Sequence, residues 1–256
     1  MADHEPRDEL YTGYLPTAPD GIARRVRSAV VLLFVLTVAV ALVLVFGQRG
    51  FSAAIYEFLV FRDFSGVISE EPYPTLAVER PGALNGEATS RMYLVAEGKF
   101  GAEDEVAGLD GQHVQLQGAL IYRDDQTMVE IKQGSVAASG ESAAAASTVR
   151  DLGTATFVGE IVDSKCFLGI MKPGNTKPHR ACATRCIAGG IPPVFLLSDD
   201  SGPAAYLMLV DAEGGAVNQE VLDMVAEPLE ITGRIRQIDD LFVLEADPST
   251  YRRVSE

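Results

Sequence analysis

The stretch VQLQGALIYRDDQTMVEI, Val114–Ile131, can be laid against LEITGRIRQIDDLFVLEA, Leu229–Ala246, allowing one single-residue gap. Each half alternates apolar and polar residues up to a glycine, Gly118 or Gly233. A strand follows, then an acidic turn at Asp124-Asp125 or Asp239-Asp240, then a second strand. Alternation with period two leaves one face buried and one wet, as in antiparallel sheets. A glycine inside such a run marks a bulge or sharp bend, which small barrels need to turn their corners. Further strands are expected at Met92–Val95, Phe157–Val162 and Val194–Leu197. Many short strands with bends and few helices predict a mainly β chain with two small OB-like antiparallel barrels. The alternative is one larger β-sandwich.

Between the two similar segments lies AASGESAAAAST, Ala137–Thr148. Its small side chains supply no core, so it reads as a linker. Upstream, Ala29–Phe46 is an apolar run broken only by Thr37. At about 1.5 Å per residue it nearly crosses a hydrocarbon core of about 30 Å. Arg24, Arg25 and Arg27 precede it and Arg49 alone follows closely. The excess of positive charge places the N-terminal tail in the cytoplasm and the rest outside. A cleaved signal peptide is the rival, but a long tail containing Asp3, Glu5, Asp8 and Glu9 does not match a short basic leader. The aromatic segment Phe51–Phe61 either lies in the membrane interface or packs beneath the first domain.

The expected organisation is a tail over 1–27, an anchor over 28–47 and a juxtamembrane segment over 48–62. A first OB-like domain over 63–135, a linker over 136–152 and a second OB-like domain over 153–256 follow. A net charge of −15 argues against nucleic acid or an anionic bilayer as a partner.

All the cysteines fall in IVDSKCFLGIMKPGNTKPHRACATRCIAGGIPP, Ile161–Pro193, spaced Cys166-x12-His179-x2-Cys182-x3-Cys186. Pro178 is placed to start a short helix running to about Ile187 and closed by Gly189 and Gly190. On that helix His179, Cys182 and Cys186 share one face, and Cys166 approaches from the end of the preceding strand. Such a Cys3His set suits zinc, and two or three thiolates also suit copper(I). A fully occupied four-ligand site has no open position for substrate, so a structural or metal-handling role is expected over catalysis. Two other readings stand beside it. In an oxidising compartment Cys166 would pair with Cys182 or Cys186, leaving one thiol over. Alternatively Cys182 or Cys186 is a nucleophile with His179 as its base.

Lys165, Lys172, Lys177, Arg180 and Arg185 make this segment basic within an acidic chain. Cations there favour thiolate and offer a docking surface for an acidic partner. His4 and His113 carry no comparable pattern, and no phosphate-binding, metalloprotease or serine-hydrolase motif occurs.

The pattern G-x-I-x-D-S-x-C (Gly159–Cys166), His179-x-x-Cys182-x-x-x-Cys186 and a glycine-rich exit resembles a group of bacterial membrane-anchored, extracytoplasmic OB-like domain proteins. The resemblance covers about the last hundred residues. It implies a small β-barrel with a Cys/His insertion beside a bacterial inner-membrane anchor, on the extracytoplasmic side, and leaves function open. With a disulfide in place of a metal, the alternative is a non-catalytic accessory subunit of a membrane complex that docks a membrane-protein partner through its basic residues and aromatic segment.

Overall fold

The structure is a computed structural model that describes residues 18–47, 54–80, 89–142, 147–199 and 202–254. Helix α1 spans Asp20–Gly47, so Arg24, Arg25 and Arg27 lie on the helix itself. Its apolar stretch has a mean hydropathy of 3.3, and none of it is buried by the rest of the chain. The helix is therefore long and apolar enough to cross a membrane. The one hydroxyl of the apolar run Ala29–Phe46, Thr37, turns back to the carbonyl of Leu33 at 2.8 Å and is satisfied within the helix. Most of the expected tail, residues 1–17, lies outside the described residues.

The remainder forms two closed five-stranded barrels of one topology. In the first, β1 (Ala54–Ser69), β2 (Thr75–Glu79), β3 (Thr89–Val95), β4 (Gln112–Arg123) and β5 (Gln126–Ile131) run in the order β1-β2-β3-β5-β4. A β1–β4 pairing closes the ring, and β3 and β5 are its parallel pair. The second uses β7 (Val149–Asp163), β8 (Pro193–Asp199), β9 (Gly202–Val210), β10 (Leu229–Ile238) and β11 (Leu241–Glu245) in the equivalent order. It is closed by β7–β10, with β9 and β11 parallel. The single-sandwich alternative is thereby replaced by two barrels. A short helix α2 (Glu103–Val106) lies between β3 and β4.

The sequence similarity has a physical basis in register. Gly66 pairs with Val114 and Gly118 with Arg62; likewise Gly159 pairs with Leu229 and Gly233 with Ala155. The offset of four residues recurs in both barrels, and Asp124 and Asp239 take the same positive φ, 53° and 54°, at equivalent turns. No gap is needed to align the two halves from Val114 and Leu229 onward. A Cβ on Gly118 would stand 2.4 Å from Val129 Cγ1 and 2.7 Å from the Glu130 carbonyl. One on Gly233 would stand 2.6 Å from the Glu245 carbonyl. Only glycine lets each strand cross its neighbour that closely.

Each barrel has its own core, and a third core lies between them. Tyr73, Tyr93, Ile121 and Met128 of the first barrel pack with Val162, Phe167, Tyr206 and Met208 of the second. Tyr206 stacks on Phe167 at 5.7 Å and meets Tyr93 edge-on at 6.2 Å. The Tyr73 hydroxyl donates to the Leu209 carbonyl at 3.0 Å and accepts the Val217 N–H at 2.9 Å. The Asp239-Asp240 turn also crosses the divide: Asp240 accepts from Ser90 and from Arg91 N–H, and Asp239 pairs with the Arg91 guanidinium at 3.1 Å.

Two boundaries differ from expectation. Nine residues of the juxtamembrane segment, Ala54–Arg62, belong to β1. Within the expected linker, β6 (Ala137–Ser142) pairs with β4, and β7 begins at Val149. A strand at a sheet edge needs only backbone hydrogen bonds, which small side chains supply as well as large ones.

With a shared middle core, damage to one barrel should be felt in the other. Gly118→Ala should lower stability by about 1–3 kcal/mol through overpacking. In urea titrations of the detergent-solubilised chain, the midpoint at which the second barrel's thiols become reactive should fall together with the loss of circular dichroism. Thiol exposure at an unchanged midpoint would show that the barrels unfold separately.

Candidate metal centre

The insertion between β7 and β8 is a large departure from the repeat, since the first barrel crosses the same place with Glu70–Pro74. β7 ends at Asp163, which is fully buried. One of its oxygens accepts the Cys166 N–H at 2.7 Å, and the other meets His179 Nε2 at 2.9 Å. Asp163 therefore shapes the turn that carries one cysteine and orients the histidine beside the others. From Cys166 the chain makes one wide turn, Cys166–Ile170, closed by the Met171 N–H on the Cys166 carbonyl at 3.1 Å. A Cβ on Gly174 would lie 2.7 Å from that carbonyl, and one on Gly169 would lie 2.5 Å from the Ile55 carbonyl. Glycine at both places lets the turn press against the returning chain and against the first barrel.

A short 3-10 turn, Lys177–His179, leads into helix α3 (Arg180–Ala188). The helix closes at Gly189, whose N–H bonds back to Arg185 and Cys186 carbonyls, and at Gly190 with φ 97°. Cys182 and Cys186 sit one turn apart, Cys186 buried and Cys182 partly exposed. Their sulfurs, those of Cys166 and the His179 ring come together. Ligand atoms of Cys166, His179 and Cys182 lie within 4.8 Å of one another, as do those of Asp163, Cys166 and Cys186. Such a cluster is geometrically capable of holding a metal ion.

All three cysteines are free thiols, and Cys166 Sγ stands 4.0 Å from Cys182 Sγ. A disulfide needs about 2.05 Å. Two sulfurs on one zinc ion at about 2.3 Å each stand about 3.8 Å apart. The observed spacing is close to the second value.

A residue absent from the sequence reading completes the site. Lys99, on the loop after β3 of the first barrel, donates from Nζ to Cys182 Sγ at 2.8 Å and to Cys186 Sγ at 3.4 Å. The loop is held against α3 by the Gly101 N–H on the Gly189 carbonyl at 2.9 Å. A Cβ on Gly189 would fall 2.0 Å from the Lys99 carbonyl, so the glycine exit that ends the helix also admits this loop. Cys186 is drawn down to about 7, first by the Cys166 thiol donating to it and then by the Lys99 ammonium. Cys166, as the donor of that bond and partly desolvated, is pushed well up. Hydrogen bonding to Cys182 raises Lys99 in turn.

The five basic residues do not form one patch. Lys165 is buried, its ammonium 2.5 Å from Glu130 and 2.8 Å from each of the Ala96 and Gly98 carbonyls. Next to a buried Cys166 its side chain faces inward, and these acceptors belong to the first barrel. Arg180 is paired with Glu227 at 2.6 Å and bonded to the Asp223 carbonyl. Lys172, Lys177 and Arg185 are exposed. A cleft of about 490 Å³ opens onto Cys166, Cys182, Cys186 and Lys99, with Tyr56, Phe58 and Phe61 on its apolar side.

No known protein family matches this chain, and no curated protein matches it. The site therefore has to be read from its own geometry.

In the metal-free chain, ultraviolet thiolate absorbance should rise through a midpoint near 7, because the lowered Cys186 gives up its proton there as pH increases. Lys99→Met removes the neighbouring positive charge and should move that midpoint up by about one pH unit. An unchanged midpoint would mean that the ammonium does not act on the thiols.

Proposed function

We propose that this chain is a membrane-anchored protein that binds a soft transition-metal ion, zinc or copper(I), through Cys166, His179, Cys182 and Cys186. The observation that carries the reading is a pair of three-residue clusters that share Cys166, one with His179 and Cys182 and one with Asp163 and Cys186, each with its ligand atoms within 4.8 Å of one another. Asp163 supports it from behind. A carboxylate only accepts, so His179 Nε2 donates to it, and in the neutral ring Nδ1 then has a lone pair for an ion. The lowered Cys186 supports it as well, since metal binding requires thiolates.

Lys99 bears on the choice between a sealed structural ion and one that is handed on. Its ammonium lies against two of the sulfurs, so an incoming cation displaces it into the adjoining cleft. Cys182 is partly exposed in the same cleft. An ion reached from an open side and exchanged against an ammonium fits metal handling. On this reading the arginines at the start of α1 face the cytoplasm and the barrels lie on the extracytoplasmic side of a bacterial inner membrane. The ion's donor or acceptor is then a membrane or extracytoplasmic protein with soft ligands.

The Lys99–Cys182 contact favours one further reading, a reactive thiol with a lysine as the activating cation. Asp163 holds one nitrogen of His179, which leaves the other ring nitrogen as the base of that reading.

Elemental analysis and thiol counting on the purified full chain separate these readings. The expected result is close to one zinc or copper per chain, with the thiols protected until a chelator removes the metal. Asp163→Asn should weaken binding about 10–100-fold, and His179→Ala by at least as much. Chain that takes up neither ion and shows a disulfide with a single free thiol would overturn the proposal. Chain without metal but with one rapidly alkylated cysteine would replace it with the thiol reading.

A further inference from the structure

Strand β1 breaks its ladder in an unusual place. Tyr56 pairs with Ile121 and Phe61 with Ala119, so five steps along β1 oppose two along β4. The surplus residues loop out of the barrel wall, with Leu59 at φ 61°. At the base, Arg62 clasps Glu57 through two hydrogen bonds of 2.7 and 2.9 Å. The loop so closed presents Phe58, Leu59, Val60 and Phe61, which are 65%, 67%, 51% and 41% exposed. A run of consecutive exposed apolar side chains on a soluble surface is an error unless something is meant to cover it.

We propose that this bulge is seated in the lipid interface, a second membrane contact beside the anchor. The inference rests on the reading of α1 as a membrane span. Residues 48–53 alone separate Gly47, the end of that helix, from Ala54, the start of β1. At about 3.4 Å per extended residue this connection holds Ala54 within about 24 Å of Gly47, and Phe58 within about 37 Å of it. The chemistry selects lipid over an acidic or basic partner. Phe58–Phe61 carries no charge, and Glu57 and Arg62 neutralise each other at its base. With a net charge of −15 the chain gains nothing from anionic headgroups, so zwitterionic lipid suffices. Aromatic rings among aliphatic side chains are the composition that settles at the interface. Tyr56, Phe58, Leu59 and Phe61 also line the cleft that holds Lys99, Cys182 and Cys186. That cleft then has one wall continuous with the membrane surface.

The chain contains no tryptophan, so Phe58→Trp and Phe61→Trp each install a single reporter. The full chain would be reconstituted in phosphatidylcholine vesicles with and without brominated acyl chains. Phe34→Trp, in the middle of α1, serves as the anchor control, and retention after alkaline carbonate washing tests the anchor itself. The expected result is retained protein with blue-shifted emission at positions 58 and 61. About half of that emission should be lost to brominated lipid, as for a ring at headgroup depth, and little to aqueous iodide. Quenching of position 34 by brominated lipid while 58 and 61 respond only to iodide would overturn the bulge proposal and leave the anchor intact. Reporters at 58 and 61 shielded from both quenchers would also overturn it, because a protein surface would then be the cover. Release by carbonate would overturn the anchor reading and this proposal with it.

Discussion

A buried ammonium sets the arrangement on which the rest depends. Lys165 is next in sequence to Cys166, and its side chain is 4% exposed. Leaving such a charge unpaired in the interior costs several kcal/mol. Its acceptors, the Glu130 carboxylate and the Ala96 and Gly98 carbonyls, all belong to the first barrel. Satisfying Lys165 therefore fixes the loop after β3 over the insertion, and Lys99, next along that loop, is brought to the sulfurs of α3. Glu130 also accepts from the Tyr56 hydroxyl at 2.5 Å, which extends the same network to β1. One requirement of solvation thus ties the cysteine turn, the lysine loop and the first strand together.

Packing reinforces this tie. The turn after Cys166 inserts Phe167 between the barrels, with Arg123 over one face of its ring at 4.1 Å and Tyr206 stacked beside it. Close backbone approaches at Gly169, Gly189 and Gly101 leave no room for a Cβ between the insertion and the first barrel. The insertion belongs to the second barrel by sequence and is held as much by the first.

Much of the local structure was legible in the sequence because it rests on local chemistry. Alternation, Gly118, Gly233 and the acidic pairs encode the strand-bend-strand-turn pattern of both barrels. The 3-10 turn begun by Lys177-Pro178 and the glycines after Ala188 bound the helix as capping rules require. What could not be read depends on which distant segments meet. Lys99 lies 83 residues from Cys182, in a loop whose only mark is flanking glycine. Lys165 reads as surface charge until its partner from the other barrel is known. Asp163 was visible inside D-S-x-C, yet its bond to His179 emerges only once the helix folds back over the turn. Alanine and serine in β6 gave no signal, since an edge strand is held by backbone groups that every residue has.

The shared glycine register gives the two barrels one plan, and they differ in the connection between their first two strands. The first has a short β1–β2 connection; in the second the equivalent connection is the long thiol-bearing insertion. The plain barrel covers the insertion of the other and supplies its counter-charge. A second barrel cut free of the first would still hold every cysteine and the histidine, yet its sulfurs would face water without Lys99, and Lys165 would have lost its acceptors. Chemistry of the thiols is in this sense a property of the joint between two repeats, and substitutions in the half that contains no cysteine can retune it.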